Sequence, residues 1–208
     1  MANENENLSS RERQAIQTRK KLLNAGRDIF LENGFQKATI SQIIKKANTG
    51  YGTAYVYFKN KDDLFIILME ELMGQFYEVA ERQFEPKTER EARQMINEQV
   101  RSFLNLAIEE GAMMRVVKEA VGISPIVEQR WNSIRERFIE RISVDIRYSQ
   151  ANGLAKPSFS PSLVARGWFY ANEMFMWDCV KGENHFLMDE IIDNLTNLYT
   201  SGLYGGIN

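Results

Sequence analysis

The chain has 208 residues, a net charge of −2, 44% hydrophobic residues and 26% charged residues. A chain of this length forms one large domain or two smaller ones with a substantial apolar core. Its composition disfavours disordered, collagen-like and membrane-spanning proteins. The longest purely apolar stretch, residues 64–69, is far too short to span a bilayer, and residues 1–7 lack the basic and apolar regions of a signal peptide. We therefore expect a cytoplasmic protein.

Residues suited to catalysis or metal binding are scarce. The chain has one cysteine, Cys179, and one histidine, His185, which excludes an internal disulfide and a zinc site rich in these residues. His185 follows the polar stretch 181–184, which favours a solvated loop over a catalytic position. The sequence Gly-Tyr-Gly-Thr at 50–53 lacks the second half of a nucleotide-binding glycine motif. We expect no catalytic residue, no cofactor and no metal ion.

The small net charge hides an asymmetry between the two parts of the chain. Residues 1–61 contain 11 Lys and Arg against 5 Asp and Glu, a net charge of +6, whereas the remainder contains 15 against 23, a net charge of −8. A basic segment attached to an acidic one either contacts a polyanion such as nucleic acid or forms a solvated surface.

Helical periodicity begins near the N-terminus, after residues 1–10, which we expect to be disordered. From residue 13 the apolar and small residues lie on one stripe of an amphipathic helix. Ser9 followed by Glu12 predicts a capping box at its start, and Asn33-Gly34 predicts its end, because glycine readily adopts the left-handed conformation.

Two short helices are predicted next, at 39–46 and 51–58, separated by a turn at 48–50. Thr39 or Ser41 can cap the first of them, and Ile43 and Ile44 are expected in the core. Two short helices joined by a tight, glycine-containing turn are typical of a helix-turn-helix, here at about 39–58.

The rest of the chain is also helical in pattern. A helix starts at Lys61 and ends before Pro86, and further helices are predicted at about 88–110, 112–122, 125–151, 161–181 and 186–203. No segment shows the period-two alternation of a strand. We predict an all-α fold of about nine helices, with an N-terminal helix-turn-helix domain at 11–61 and a C-terminal helical domain at 62–208.

A helix-turn-helix places its second helix in the major groove of DNA, so the candidate DNA-binding residues lie around 51–58. Residues near its start, which face the bases, are Thr49, Gly50, Tyr51 and Gly52. Residues with hydroxyls or a charge that suit phosphate contacts are Thr53, Tyr55, Tyr57 and Lys61. Thr39 and Ser41, with the amides of the preceding short helix, could hold another phosphate. We expect Tyr51 to read sequence, because a large side chain at this position has little else to pack against.

The most aromatic stretch, 166–178, suggests a ligand cavity in the C-terminal part. Its candidate lining residues are Trp168, Asn172, Phe175 and Met176, with Phe103, Leu106, Trp131, Phe138 and Ile142 as opposite walls. Aromatic and methionine side chains around one or two polar groups suit a small apolar ligand. The alternative is an ordinary aromatic core in which Asn172 bonds to the backbone, since a buried amide without partners costs about 1–3 kcal/mol.

Three segments resemble the DNA-binding domain of TetR/AcrR-family transcriptional regulators: Phe-Leu-Glu-Asn-Gly-Phe at 30–35, Thr-Ile-Ser-Gln-Ile at 39–43, and Gly-Thr-Ala-Tyr-Val-Tyr-Phe-Lys-Asn-Lys-Asp-Asp-Leu at 52–64. The resemblance covers about residues 13–65. One departure is the turn, Ala-Asn-Thr-Gly at 47–50 where the family usually has Ala-Gly-Val-Ser. Asn48 tolerates the left-handed conformation that a turn glycine would adopt.

The C-terminal layout is similar to the ethionamide-resistance repressor subgroup of that family, on the basis of Trp131, Gly153 and Asn172-Glu173. The resemblance to the TetR/AcrR family implies a helical homodimer that binds a palindromic operator, usually as a repressor, and is released by a small ligand. It also implies that the last two helices form the dimer surface. The apolar stripe predicted there consists of Leu187, Ile191, Leu195, Leu198 and Tyr199.

The sequence therefore predicts a ligand-responsive, DNA-binding regulator that acts as a homodimer on double-stranded DNA and responds to a small apolar or aromatic ligand. Two alternatives stay open at this point. One is an all-α small-molecule or lipid-binding protein, or an enzyme, that uses the aromatic cavity; its acidic candidates would be Glu173 and Asp178. The other is an architectural DNA-binding protein without ligand control.

Overall fold

The computed structural model describes residues 9–182 and 185–204. Within these ranges the regular structure consists of nine α-helices and no strand, which confirms the predicted all-α fold. The helices are α1 (Ser10–Lys37), α2 (Ile40–Lys46), α3 (Tyr51–Tyr57), α4 (Lys61–Ala80), α5 (Glu89–Glu109), α6 (Gly111–Val121), α7 (Pro125–Ala151), α8 (Pro161–Lys181) and α9 (Met188–Leu203). Of the segment predicted to be disordered, residues 1–8 lie outside the described residues, whereas Ser9 caps α1 and Ser10 is its first residue.

Local signals set the ends of the first helices. Ser9 and Glu12 form the predicted capping box: the Ser9 hydroxyl accepts from the Glu12 N–H at 3.2 Å, and the Glu12 carboxylate accepts from the Ser9 N–H at 2.8 Å. Gly34, with a φ of 73°, interrupts the helical geometry where the sequence predicted the end of the helix, although helical residues resume as far as Lys37. Thr39 caps α2 in the same way as Ser9 caps α1.

The chain divides into two compact units, the first of which contains described residues 9–71 and 116–128. Its core is aromatic: Phe30 stacks on Phe35 with ring centroids 5.8 Å apart, and Phe65 packs edge-on against both. Gly26 allows α4 to approach α1 closely, because a Cβ there would overlap the Leu64 side chain. This packing places 62–71 with the N-terminal helices, whereas the sequence predicted a boundary at residue 61.

The second unit contains residues 72–115 and the described part of 129–204. In it α5 packs against α8 and α9, and α8 packs against α9. Phe138 of α7 lies at the centre of an aromatic cluster, with ring centroids 4.7 Å from Tyr77, 5.8 Å from Phe169 and 6.3 Å from Phe103. Rings from α4, α5, α7 and α8 therefore form the interior of this unit.

The described helices include none that is both long and apolar enough to cross a membrane. Across the same residues, no group of three or more His, Cys, Asp or Glu side chains is arranged to hold a metal ion. His185 is exposed, as the polar sequence around it predicted.

Candidate nucleic-acid interface and ligand cavity

The turn between α2 and α3 adopts the geometry that its sequence allows. Asn48 has a φ of 49°, the left-handed conformation predicted for it. Thr49 is half-buried and donates its hydroxyl to the Ala47 carbonyl at 3.2 Å, so its side chain turns back onto the loop. Gly50 is exposed and occupies the N-cap of α3 without a side-chain hydrogen bond. Of the four residues predicted to face bases, Thr49 is thus the one already engaged within the protein.

Helix α3 is attached to the core through one side only. Ala54, 2% exposed, and the following Phe58 are buried, while Tyr57 is half-buried. The exposed residues on the remaining surface are Tyr51, Gly52, Thr53, Tyr55 and Val56. Four of these were predicted as DNA-binding residues. Val56 was not, because the sequence alone did not show which side of so short a helix faces the core.

The residues predicted to bind a phosphate at α2 have different local roles. The Thr39 hydroxyl accepts from the Gln42 N–H at 3.2 Å, and the Gln42 side-chain oxygen accepts from the Thr39 N–H at 2.8 Å, so the two residues form a capping box. Ser41 is exposed. Nearby, Lys46 forms ion pairs with Glu32 and Asp28, and its hydrogen bond to Glu32 raises the pKa of the Lys46 ammonium.

Lys61 has a structural role that the sequence analysis did not anticipate. Its ammonium donates to the carbonyls of Phe35 at 2.6 Å, Gln36 at 3.2 Å and Ala38 at 3.0 Å. It also lies over the Phe35 ring, 4.5 Å from the centroid. These three bonds occupy all the N–H donors of an ammonium group. The phosphate contact predicted for Lys61 is therefore corrected: this side chain holds the end of α1 in place.

Glu119 of α6 binds the same segment and was missed from the sequence. Its carboxylate accepts from the Phe35 N–H at 2.9 Å and the Gln36 N–H at 3.0 Å, just after the break in α1. A Cβ at Gly34 would lie 2.7 Å from this carboxylate, so both the positive φ and the close approach require glycine. Residues 34–38, which lead directly into the Thr39 cap of α2, are thus held by Glu119 through N–H groups and by Lys61 through carbonyls.

Two small apolar cavities lie among the described residues of the second unit. The larger, of about 50 Å³, is lined by Val79, Ala80, Gln99, Val100, Phe103, Phe138, Ile142, Trp168, Phe169 and Asn172. The smaller, of about 10 Å³, is lined by Met73, Phe76, Phe103, Trp131, Ile134, Phe138, Phe169, Glu173 and Met176. Seven of the nine predicted ligand-binding residues line one of them. Leu106 of α5 and Phe175 of α8 are half-buried and line neither. For Phe175 the reason is that the buried face of α8 is the one carrying Phe169 and Met176.

The polar groups of the larger cavity are two amides. Asn172 is buried and donates its Nδ2 to the Trp168 carbonyl at 2.8 Å, which is the backbone bond considered as an alternative from the sequence. Gln99 donates its Nε2 to the carbonyls of Val79 and Ala80, each at 3.3 Å. Neither amide oxygen accepts a hydrogen bond from the described part of the chain. The lining therefore presents acceptors but no charged side chain.

Glu173 borders the smaller cavity and is 4% exposed. One of its oxygens accepts from the Trp131 indole N–H at 3.0 Å and from the Arg135 Nε at 2.9 Å. Of the two acidic candidates for an enzyme site, Glu173 is thus already paired, and Asp178 lines neither cavity.

The dimer stripe predicted on α9 does not form one surface. Ile191 and Leu195 are buried within the single chain, because α9 packs against α5 and α8, and this corrects their predicted role. Tyr199 stacks on Trp168 with ring centroids 4.2 Å apart, and burial raises the pKa of its hydroxyl well above the usual value. Leu187 and Leu198 are exposed. A stripe of helical spacing shows which residues share a face, but not whether its partner is the same chain or another one.

Comparisons with known families cover both parts of the chain. Residues 22–67 match the family described as "Bacterial regulatory proteins, tetR family", and residues 95–205 match the one described as "Transcriptional regulator EthR, C-terminal domain". The second match spans more than half of the sequence.

Individual relatives are similar over different lengths. The fatty acid metabolism regulator protein of Bacillus subtilis (strain 168) is 41% identical over 66 residues, which cover 32% of this chain and 34% of that protein. The regulator QacR of Staphylococcus aureus (strain Mu50 / ATCC 700699) is 25% identical over 139 residues, 64% of this chain and 71% of QacR. The chain thus aligns with about a third of the length of the first relative. The structure of Salmonella enterica GusR has the same fold, with a TM-score of 0.74 and 19% identity over 92% of this chain and 97% of GusR.

Proposed function

Because the chain belongs to the TetR family of bacterial transcriptional regulators, with a C-terminal domain of the EthR type, we propose that it represses transcription by binding a palindromic operator as a homodimer. We further propose that a small, uncharged apolar ligand releases it from DNA. The observation that carries this proposal is the surface of α3, where tyrosine and threonine hydroxyls stand exposed on a helix anchored by Ala54 and Phe58.

The proposed DNA contacts follow from the exposure of α3. The major groove is wide enough to admit a helix, and Gly50 and Gly52 allow its backbone to approach the base edges. Tyr51, exposed at the start of the helix, is proposed to contact bases. Tyr57, half-buried at its end, is proposed to donate to a phosphate, which fixes position without reading sequence.

The charge and size of the larger cavity support an uncharged ligand that rearranges the protein when it binds. No lining residue is charged, so a buried carboxylate or ammonium would be unpaired, which is strongly unfavourable. The Asn172 and Gln99 oxygens would instead accept from a ligand N–H or O–H. At about 50 Å³ the cavity is far smaller than the cavities of about 150 Å³ that bind benzene. A ligand larger than this volume would displace lining side chains and would favour a conformation different from the unliganded one.

A second copy of the chain is the proposed partner of the exposed side of α8. Apolar residues there follow helical spacing, with Leu163, Tyr170 and Met174 exposed around Gly167. On α9, Leu198 is also exposed. A two-fold dimer would place two copies of α3 about 34–36 Å apart, one turn of DNA, or at a multiple of that distance. The stoichiometry of the DNA complex checks this directly, because a palindromic site should hold two chains or a multiple of two.

A binding assay on selected duplexes tests the proposed operator recognition. Sites would be selected from a random duplex library and measured by gel shift at several salt concentrations. Tyr51→Ala should reduce the preference between selected and unrelated sequences, because it removes a base contact. Tyr57→Phe should weaken both by a similar factor, because it removes one phosphate contact. Equal losses on all sequences for both variants would contradict this division of roles, and the absence of any salt-sensitive specific complex would contradict the proposed function.

Thermal unfolding tests the ligand class. We expect stabilisation by apolar secondary amides but not by carboxylates of the same length, reaching about 2.7 kcal/mol at 100 times the dissociation constant. Asn172→Leu should weaken binding of an amide that carries an N–H and leave its N-methyl analogue unaffected, because only the first loses a hydrogen bond to the Asn172 oxygen. Stabilisation by carboxylates alone would contradict the uncharged class. An equal loss for both amides would contradict the role of Asn172.

A further inference from the structure

Val56 is an apolar residue on a surface that is otherwise mainly polar. With 78% of its surface exposed, it is more accessible than any other large apolar residue in the described part of the chain. It lies on α3, one turn after Gly52, and both neighbours in sequence are tyrosines. Exposure of this kind contributes little to the stability of the folded chain and leaves the side chain available for a contact from outside it.

The geometry of α3 places Val56 at the centre of the outward face. Successive residues of an α-helix are about 100° apart, so Gly52 and Val56 each lie about 200° from the buried Ala54 and about 40° from each other. A Cβ at Gly52 would meet nothing within 4 Å. The two methyl groups of Val56 therefore stand beside a strip of bare backbone, with Tyr51 and Tyr55 on one side and Thr53 on the other.

The chemistry of the major groove limits what such a residue can contact. Hydrogen-bond donors and acceptors line the edges of the base pairs, and the distinct apolar group among them is the C5-methyl of thymine. A valine side chain cannot replace the hydrogen bonds that polar edges make with water, but it packs well against a methyl group. We propose that Val56 recognises a thymine C5-methyl in each half of the operator and so helps determine which sequences are bound. This inference rests on the proposed operator binding and adds a specificity-determining residue to it.

Removal of the methyl group from DNA and from protein tests the contact from both sides. In a duplex selected with the unchanged protein, each thymine would be replaced in turn by deoxyuridine, which lacks only the C5-methyl. We expect one position per half-site at which this replacement weakens binding about fourfold, since burying one methyl-sized group contributes about 0.8 kcal/mol. Val56→Ala should weaken binding to the thymine duplex by about four- to tenfold for each half-site, because both chains lose the contact, and should no longer distinguish thymine from deoxyuridine. Val56→Thr keeps one methyl group and should retain the preference for thymine.

The controls separate a direct contact from other effects. Val144→Ala makes the same change at an exposed position of α7 in the second unit and should leave both affinities unchanged. Circular dichroism of Val56→Ala should match that of the unchanged chain, because the side chain is not part of the core. The inference is overturned if no deoxyuridine replacement lowers the affinity of the unchanged protein. It is also overturned if Val56→Ala lowers the affinities for the thymine and the deoxyuridine duplex by the same factor, because the preference for thymine would then persist without Val56. Failure to select any duplex would instead contradict the proposed function itself.

Discussion

Replacement of Glu173 by alanine should lower the free energy of unfolding by about 3 kcal/mol, because it leaves a partly buried guanidinium and a buried indole N–H without their acceptor. Glu173 is 4% exposed, and one of its oxygens accepts from both Trp131 and Arg135. The loss should appear in chemical denaturation followed by tryptophan fluorescence. The variant should also bind apolar secondary amides less tightly, since the hydrogen bond from the Trp131 indole to Glu173 holds that ring in the wall of the smaller cavity.

A second Glu–Arg pair between the same two helices provides the control. Glu136 of α7 pairs with Arg166 of α8 through two hydrogen bonds of 2.8 Å, but both side chains are largely exposed. Exposed ion pairs contribute about 0–1 kcal/mol, so Glu136→Ala should change stability little. Glu173→Gln, which retains an acceptor oxygen, should fall between the two alanine variants. Equal losses for Glu136→Ala and Glu173→Ala would show that burial of the Glu173 pair is not what matters.

Replacement of Lys61 by methionine should lower the stability of the first unit by about 2–3 kcal/mol, because three carbonyl groups lose a charged donor. The slope of log affinity against log salt for operator binding should stay unchanged. If Lys61 neutralised a phosphate, the slope would instead fall by about 0.9 for each bound chain. Denaturation and gel shifts at several salt concentrations measure the two quantities independently.

Lys59 is the matched control for Lys61, since it is exposed two residues earlier in the chain. Lys59→Met should leave stability within about 0.5 kcal/mol of the unchanged protein. A stable Lys61→Met variant with a reduced salt slope would reinstate the phosphate contact predicted from the sequence and contradict the structural role.

The position of Lys61 and Glu119 bears on how binding could be regulated. Residues 34–38 hydrogen-bond to α4 through Lys61 and to α6 through Glu119, and α2 starts immediately after them. If α4 or α6 moves, residues 34–38 must therefore move with it, or the hydrogen bonds to Lys61 or Glu119 must break. Coupling between ligand and DNA sites is typically 1–3 kcal/mol, which is about the contribution of one or two such hydrogen bonds.

The sequence by itself determined the features that depend on neighbouring residues. The capping box of Ser9 and Glu12, the left-handed Asn48 and the bounds of nearly every helix follow from interactions within a few positions of the chain. The exposed Tyr51 and Tyr55 were predicted from their position in the helix-turn-helix. Seven of the sixteen residues that line the two cavities were also predicted, because helical periodicity groups them on common faces.

Tertiary structure alone decided what those faces contact. Lys61 binds carbonyls 23 to 26 positions away and Glu119 binds amides more than 80 positions away, so no local pattern contains either role. Ile191 and Leu195 had the spacing of a dimer surface and proved to be core, while Val56 had no distinguishing pattern and proved to be the most exposed large apolar side chain among the described residues. The physical reason is that periodicity fixes which side chains share a face of a helix, whereas the partner of that face depends on how distant helices pack.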